Sequence, residues 1–138
     1  MALSANRELK FFATQELIEI PVDISVTIYK GALVGHNATS GLARPLVAGD
    51  ALLGVAFKQA DNTIAGATAG GIKVKLHQEI DIVHTLTGVA NTDIGSLVYA
   101  SDDGTLTLTA TANTRVGRIV AVEGTNLARV RCQPIAST

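Results

Sequence analysis

A short motif around Gly31 returns around Gly95, and a chain that writes one unit twice is constrained to fold as two related halves. The first copy reads Gly31-Ala32-Leu33-Val34, a polar turn ending at Gly41, then Leu53-Gly54-Val55-Ala56. The second reads Gly95-Ser96-Leu97-Val98, a turn ending at Gly104, then Val116-Gly117-Arg118-Ile119-Val120. From the turn glycine to the strand glycine is 13 residues in both copies. Each copy closes on a basic alternation, Lys73-Val74-Lys75 in the first and Arg129-Val130-Arg131 in the second, and the first reaches it later through an insertion over residues 61–71. Glycines, polar turns and alternating strands make a scaffold, and no reactive group recurs between the copies.

A chain of 138 residues fits one domain with one compact core. Its hydrophobic content of 47% comes mainly from Ala, Val, Leu and Ile, with 4% aromatic residues and no Trp, so the core is expected to pack by many small branched contacts. No apolar run approaches the roughly 20 residues needed to span a bilayer, which predicts a soluble chain without membrane contact. Residues 1–10 lack the basic-then-apolar order of a secretory signal, and the single Cys132 cannot form an internal disulfide. Both features predict folding in a reducing cytoplasm. A formal charge of −1 and the lack of a dense basic stripe argue against nucleic acid as a partner.

Hydrophobic periodicity of two dominates the chain. Ile24-Ser25-Val26-Thr27-Ile28 alternates strictly and predicts a strand, as do the stretches 52–57, 72–76, 79–83, 105–109, 116–122 and 127–132. Pro21 removes a ladder donor and marks residues 16–22 as an edge strand or strand end. Asp103-Gly104 predicts a tight hairpin because such a pair readily supplies positive φ. Residues 61–71 are small, polar and Gly-rich and read as a surface loop. Short strands at turn-punctuated intervals predict an all-β fold, a small β-barrel or jelly-roll-like sandwich built from a duplicated unit. An extended N-terminal arm over residues 1–15 would precede a single domain over 16–138.

His36, His77 and His84 show no compact ligand spacing, so no metal site is expected, and His77 and His84 read as strand-end or loop residues. Cys132 alternates with Val130 and reads as a small core residue rather than a nucleophile. Ser4, Ser40 and Ser96 do not sit in a nucleophile elbow. Asp102-Asp103-Gly104 lacks the further oxygen ligands of a calcium loop, and residues 66–71 lack the Lys-Ser/Thr ending of a phosphate loop. No catalytic residue, cofactor or metal is therefore expected. Lys73 with Lys75, and Arg129 with Arg131, each share one strand face and serve either as a solvated surface or as contacts to acidic patches.

The second copy resembles the small decoration, or cement, proteins that bind the outside of tailed-bacteriophage heads. The resemblance rests on a Gly-small-Leu-Val-Tyr strand at residues 95–99, an Asp-Gly-x-Leu-Thr hairpin at 103–107, Asn113-Thr114, a Val-Gly-x-Ile-Val strand at 116–120 and the closing Arg129-Val130-Arg131. It is strongest over residues 93–132, fainter over 30–76, and does not cover the N-terminal segment. It implies a non-enzymatic virion protein, made in the bacterial host cytoplasm, that sits on the capsid exterior, binds the major capsid protein and forms a homo-oligomer, dimer or trimer. An N-terminal arm suits that role because an extended segment can add a strand to a neighbour's sheet edge, with Leu9, Phe11 and Phe12 as apolar anchors. The competing readings are a carbohydrate- or receptor-binding module of a phage tail or surface assembly, which would want an aromatic platform, and a carrier domain of lipoyl type, which would want a Lys at a hairpin tip.

Overall fold

The computed structural model describes residues 2–9 and 17–134 together with the backbone of 11–13, and it is almost wholly β, with 49% strand and 2% helix. The strands are β1 (Phe11–Ala13), β2 (Ile18–Pro21), β3 (Thr27–Ile28), β4 (Leu33–Asn37), β5 (Leu42–Pro45), β6 (Ala51–Ala56), β7 (Ala60–Asp61), β8 (Lys73–His77), β9 (Ile80–Thr85), β10 (Leu97–Asp102), β11 (Thr105–Thr107), β12 (Thr114–Gly124) and β13 (Leu127–Cys132). They form a five-stranded antiparallel sheet, β2-β8-β6-β4-β5, a six-stranded one, β1-β9-β13-β12-β10-β11, and a two-stranded ribbon, β3-β7. A single parallel bridge between Val22 and Ala43 draws the edges of the five-stranded sheet together without completing a ladder. The architecture is an all-β sandwich, not a closed barrel.

The duplication is physical. Strands β2, β4, β5, β6 and β8 of the first sheet take the same order as β9, β10, β11, β12 and β13 of the second. Val34 faces Gly54 and Val98 faces Gly117, and in both ladders the register slips immediately afterwards. A β-bulge at that point bends the strand and brings backbones close. A Cβ on Gly54 would lie 2.3 Å from the His77 carbonyl oxygen, and one on Gly117 1.8 Å from that of Arg131, so only glycine fits either place. The entry to each copy repeats as well: Gly31 N–H donates to Ala56 O at 3.0 Å, and Gly95 N–H to Ile119 O at 2.8 Å.

Register corrects one detail of the sequence alignment. Ala56 pairs with Leu76 and its counterpart Ile119 with Val130, so Lys75 corresponds to Arg129 and His77 to Arg131. The alternation Lys73-Val74-Lys75 is therefore displaced by two residues from Arg129-Val130-Arg131. The displacement preserves the face, because strand side chains repeat every two residues.

The halves dock head to tail. The inner face of the five-stranded sheet contributes Val34, Ala43, Ala56, Val74 and Leu76 to one cluster, which the ribbon β3-β7 fills with Ile28 and Ala60. The opposite face sends Leu33, Leu52 and Val55 into the core of the second half, beside Ile82, Val98, Leu106, Ile119 and Val130. Polar contacts stitch the seam: Leu33 N–H donates to Asp103 O at 3.0 Å, Gly49 N–H to Thr114 Oγ1 at 3.0 Å, and Thr114 Oγ1 donates to Asp50 O at 2.7 Å.

One strand expectation is revised. The alternation at residues 24–28 yields only the two-residue β3, because Ser25 takes a positive φ of 62° and its N–H donates to Asn62 O. Residues 62–71 form the expected surface loop, anchored at its start. Buried Asn62 donates its amide to Val22 O, Asp23 O and Thr68 O at 3.3, 2.9 and 2.9 Å. The Asp103-Gly104 hairpin forms where expected, but with a register shift between Ala100 and Asp102 in place of positive φ at either turn residue.

Candidate functional site: an uncovered arginine face

Alternation along the six-stranded sheet sends Ile80, Ile82, Val98, Val116, Ile119, Ala128, Val130 and Cys132 into the core. The intervening residues make an outer face that, among the described residues, no other element covers. Register lines up Leu97, Arg118, Arg131 and Asp81 across β10, β12, β13 and β9, with Phe12 of β1 at the next position. A second row places Tyr99 opposite Arg115, and a third places Ala121, Arg129 and Val83 in line.

Asp81 organises this face. Its side chain is only 3% exposed and sits beneath two guanidinium groups. Arg131 donates from Nε to Oδ1 at 2.7 Å and from Nη2 to Oδ2 at 2.9 Å, while Arg129 donates from Nε to Oδ2 at 3.1 Å. The fork of Arg131 holds the Asp81 carboxyl below the usual carboxylate range, with Arg129 adding to the effect, and the carboxylate in turn raises the Arg131 pKa. Neither Arg115 nor Arg118 has an ion-pair partner among the described residues. A shallow depression of ≈ 250 Å³ lies at one end of the face, lined by Glu79, Ile80, Asp81 and Arg131.

The residues singled out by sequence separate into distinct places. Arg129 and Arg131 meet on Asp81, whereas Lys73 and Lys75 lie exposed on β8 in the other sheet, with Lys75 opposite Glu19. Leu9 is partly buried against the core of the second half. Phe11 and Phe12 stand on β1, whose backbone pairs with the edge of β9 opposite Ile82 and Asp81, and their side chains lie outside the described structure. Asp81, Arg115 and Arg118 were missed: the ion pairs span 48 and 50 residues, and the only sequence signal was an acid beside apolar residues in β9.

The N-terminal segment is held against the body. Arg7 donates from Nε and Nη2 to Gly31 O at 3.1 and 2.9 Å and from Nη1 to Gly104 O at 3.4 Å, joining the first half to the hairpin of the second. Burial lowers the Arg7 pKa and raises that of Asp103, whose carboxylate accepts the Leu3 N–H at 3.0 Å. His84 lies near the end of β9, as expected, but is buried, with Nδ1 bonded to Thr85 O at 2.8 Å and no hydrogen-bond partner for Nε2. Burial pushes its pKa down to about 4, with nearby Arg7 pushing the same way.

Cys132 is wholly buried, with its thiol pKa pushed up to about 12 by desolvation, so it presents no thiolate. Among the described residues no group of three or more His, Cys, Asp or Glu side chains is placed to hold a metal ion, and no helix is long and apolar enough to cross a membrane. No protein-family model, curated protein or solved structure matches the chain, so its functional reading rests on its own residues and geometry.

Proposed function

We propose that this chain is a structural virion protein that binds the outer surface of a mature phage capsid and cements neighbouring capsid subunits against internal pressure. The observation that carries the reading is the asymmetry of the duplicated body. The first half's sheet packs the β3-β7 ribbon on one face and, through Leu33, Leu52 and Val55, the second half on the other, leaving only part of that face exposed at Lys73 and Lys75, while the second half keeps an open face on which Asp81 holds Arg129 and Arg131. A body with one prepared face suits docking, since Arg129 and Arg131 are already held by Asp81 and have less side-chain freedom to lose on binding. The sequence resemblance of residues 93–132 to capsid decoration proteins supports the same reading.

Cement action is additive. Each contact raises the effective concentration for the next, and a protein that binds only the expanded lattice stabilises that state by mass action. Oligomerisation of the chain about a local symmetry axis would multiply those contacts. Strand β1 already uses strand addition within the chain, on the edge of β9. The test is cosedimentation of the purified protein with expanded, decoration-free heads, with unexpanded procapsids as control. Saturable binding to expanded heads alone is the expected result, and no binding to either form would remove the reading.

A further inference from the structure

We infer that the outer arginine face receives a carboxylate-rich protein surface, with Arg115 and Arg118 taking the incoming acids; the inference builds on the docking role proposed above and names the chemistry of the partner. Three features of the face carry it. The first is a charge arrangement from which folding gains nothing. Arg118 lies directly opposite Arg131 across the β12-β13 ladder. Like charges so placed destabilise a sheet. Asp81 offsets one of the two charges of Arg129 and Arg131 from below, so the face stays positive, with Arg115 and Arg118 its cations without an ion-pair partner among the described residues.

The second is the choice of cation. The positions of Arg115 and Arg118 correspond in the first half to Leu52 and Val55, which are buried at the seam between the halves. The same face of the first half carries Lys73 and Lys75 exposed on β8 and Arg44 held by Asp50, whereas the four Lys/Arg positions of the second half's sheet are all arginine. Lysine is the strongly hydrated ion suited to open water, while the flatter, more weakly hydrated guanidinium pairs two-pronged with carboxylates and tolerates burial in an interface.

The third is what surrounds the cations. Leu97, 45% exposed, lies opposite Arg118, and Tyr99 lies opposite Arg115. Arginine, tyrosine and an exposed aliphatic side chain together match the centre of a protein interface better than a solvated surface. Glu79 and Asp81 crowd the far end near Arg131, so the incoming acids are directed to the Arg115 and Arg118 side. The same two carboxylates disfavour the evenly spaced phosphates of a nucleic acid, which call for a continuous basic track.

The test uses two probes and one charge reversal. The intact protein is titrated with a synthetic oligo-glutamate peptide and with an oligothymidylate of equal charge, and the variant Arg115→Glu/Arg118→Glu is compared in both titrations and in cosedimentation with expanded heads. Oligo-glutamate is expected to bind at low salt, to weaken steeply as salt rises, and to lose about tenfold in affinity in the double variant. Equal binding by wild type and variant, or tighter binding of oligothymidylate, overturns the inference. Should the reversal perturb folding in a thermal melt, Arg118→Gln at an exposed position replaces it, with loss of affinity again expected. Heads separate the two claims: wild type and variant sedimenting equally well would sink the arginine face and leave the capsid role, whereas oligo-glutamate binding through the face without head binding would sink the capsid role and leave the face.

Discussion

The first and second halves share strand order, bulges and entry hydrogen bonds, yet they fill matching positions with side chains of different size. Ala43 and Ala56 in the first half stand where the second has Leu106 and Ile119. The small residues leave room for Ile28 and Ala60 of the β3-β7 ribbon, and the large ones occupy that volume where no such ribbon enters. A duplicated backbone thus conserves hydrogen-bond geometry and bulge position, whereas volume is redistributed according to what each copy packs against. The same contrast holds on the opposite face, where Leu52 and Val55 meet a partner within the chain and Arg115 and Arg118 meet none among the described residues.

The most damaging way to break the shared part of this comparison is a methyl group at the bulge glycines. Gly117→Ala places a Cβ against the Arg131 carbonyl and is expected to destabilise by about 3 kcal/mol or more, with Gly54→Ala somewhat less because its overlap is shallower. Urea denaturation of the two variants gives the order directly. Exchange of core size comes next. Ile119→Ala should cost about 3 kcal/mol through the cavity it leaves, and Ala56→Ile about 1–3 kcal/mol through overpacking against Ile28, both read as shifts in the denaturation midpoint.

The halves also differ in acid response. His84 stands where the first half has Ile20. Its folded pKa of about 4 lies below the unfolded value of 6.5, so the stability it contributes is present above pH 6.5 and is lost as pH falls toward 4. The loss amounts to about 3 kcal/mol at the lower end, and His84→Leu should flatten that limb of the stability profile. Asp81, with a depressed folded pKa, acts lower: its contribution is present above the unfolded value of 3.8 and is lost as pH falls through the folded pKa. Asp81→Asn should cost about 1–2 kcal/mol at pH 7, reduced by the exposure of its arginine partners, and should leave the limb between pH 6.5 and 4 intact.

Much of the shared framework was legible in the chain. The glycine spacing paired Gly54 with Gly117, which the structure places at equivalent bulges, Pro21 fell on the edge strand β2, and β13 has the bounds that alternation predicted, with Cys132 in the core. What escaped were features set by distant partners. The alternation at residues 24–28 promised a full strand, but Asn62 claims the backbone of Ser25 and the apolar Ile28 is spent plugging a neighbouring sheet. The repeat also begins one strand earlier than its motif, at β2 and β9, where the copies share hydrophobicity and register but no residue pattern. The arginine face was half visible: Arg129 and Arg131 announced themselves by alternation, whereas Asp81 beneath them belongs to a strand some 50 residues away in sequence.

The central claim is that equivalent positions of two copies have opposite fates, one sealed at the seam and one left open. Thiol labelling of Val55→Cys and Arg118→Cys in the folded protein tests it most directly, with buried Cys132 as the internal control in each. The account predicts that the thiol at 118 reacts about as fast as in an unfolded chain, while those at 55 and 132 react only through global opening, slower by orders of magnitude. Comparable rates at 55 and 118 would contradict it.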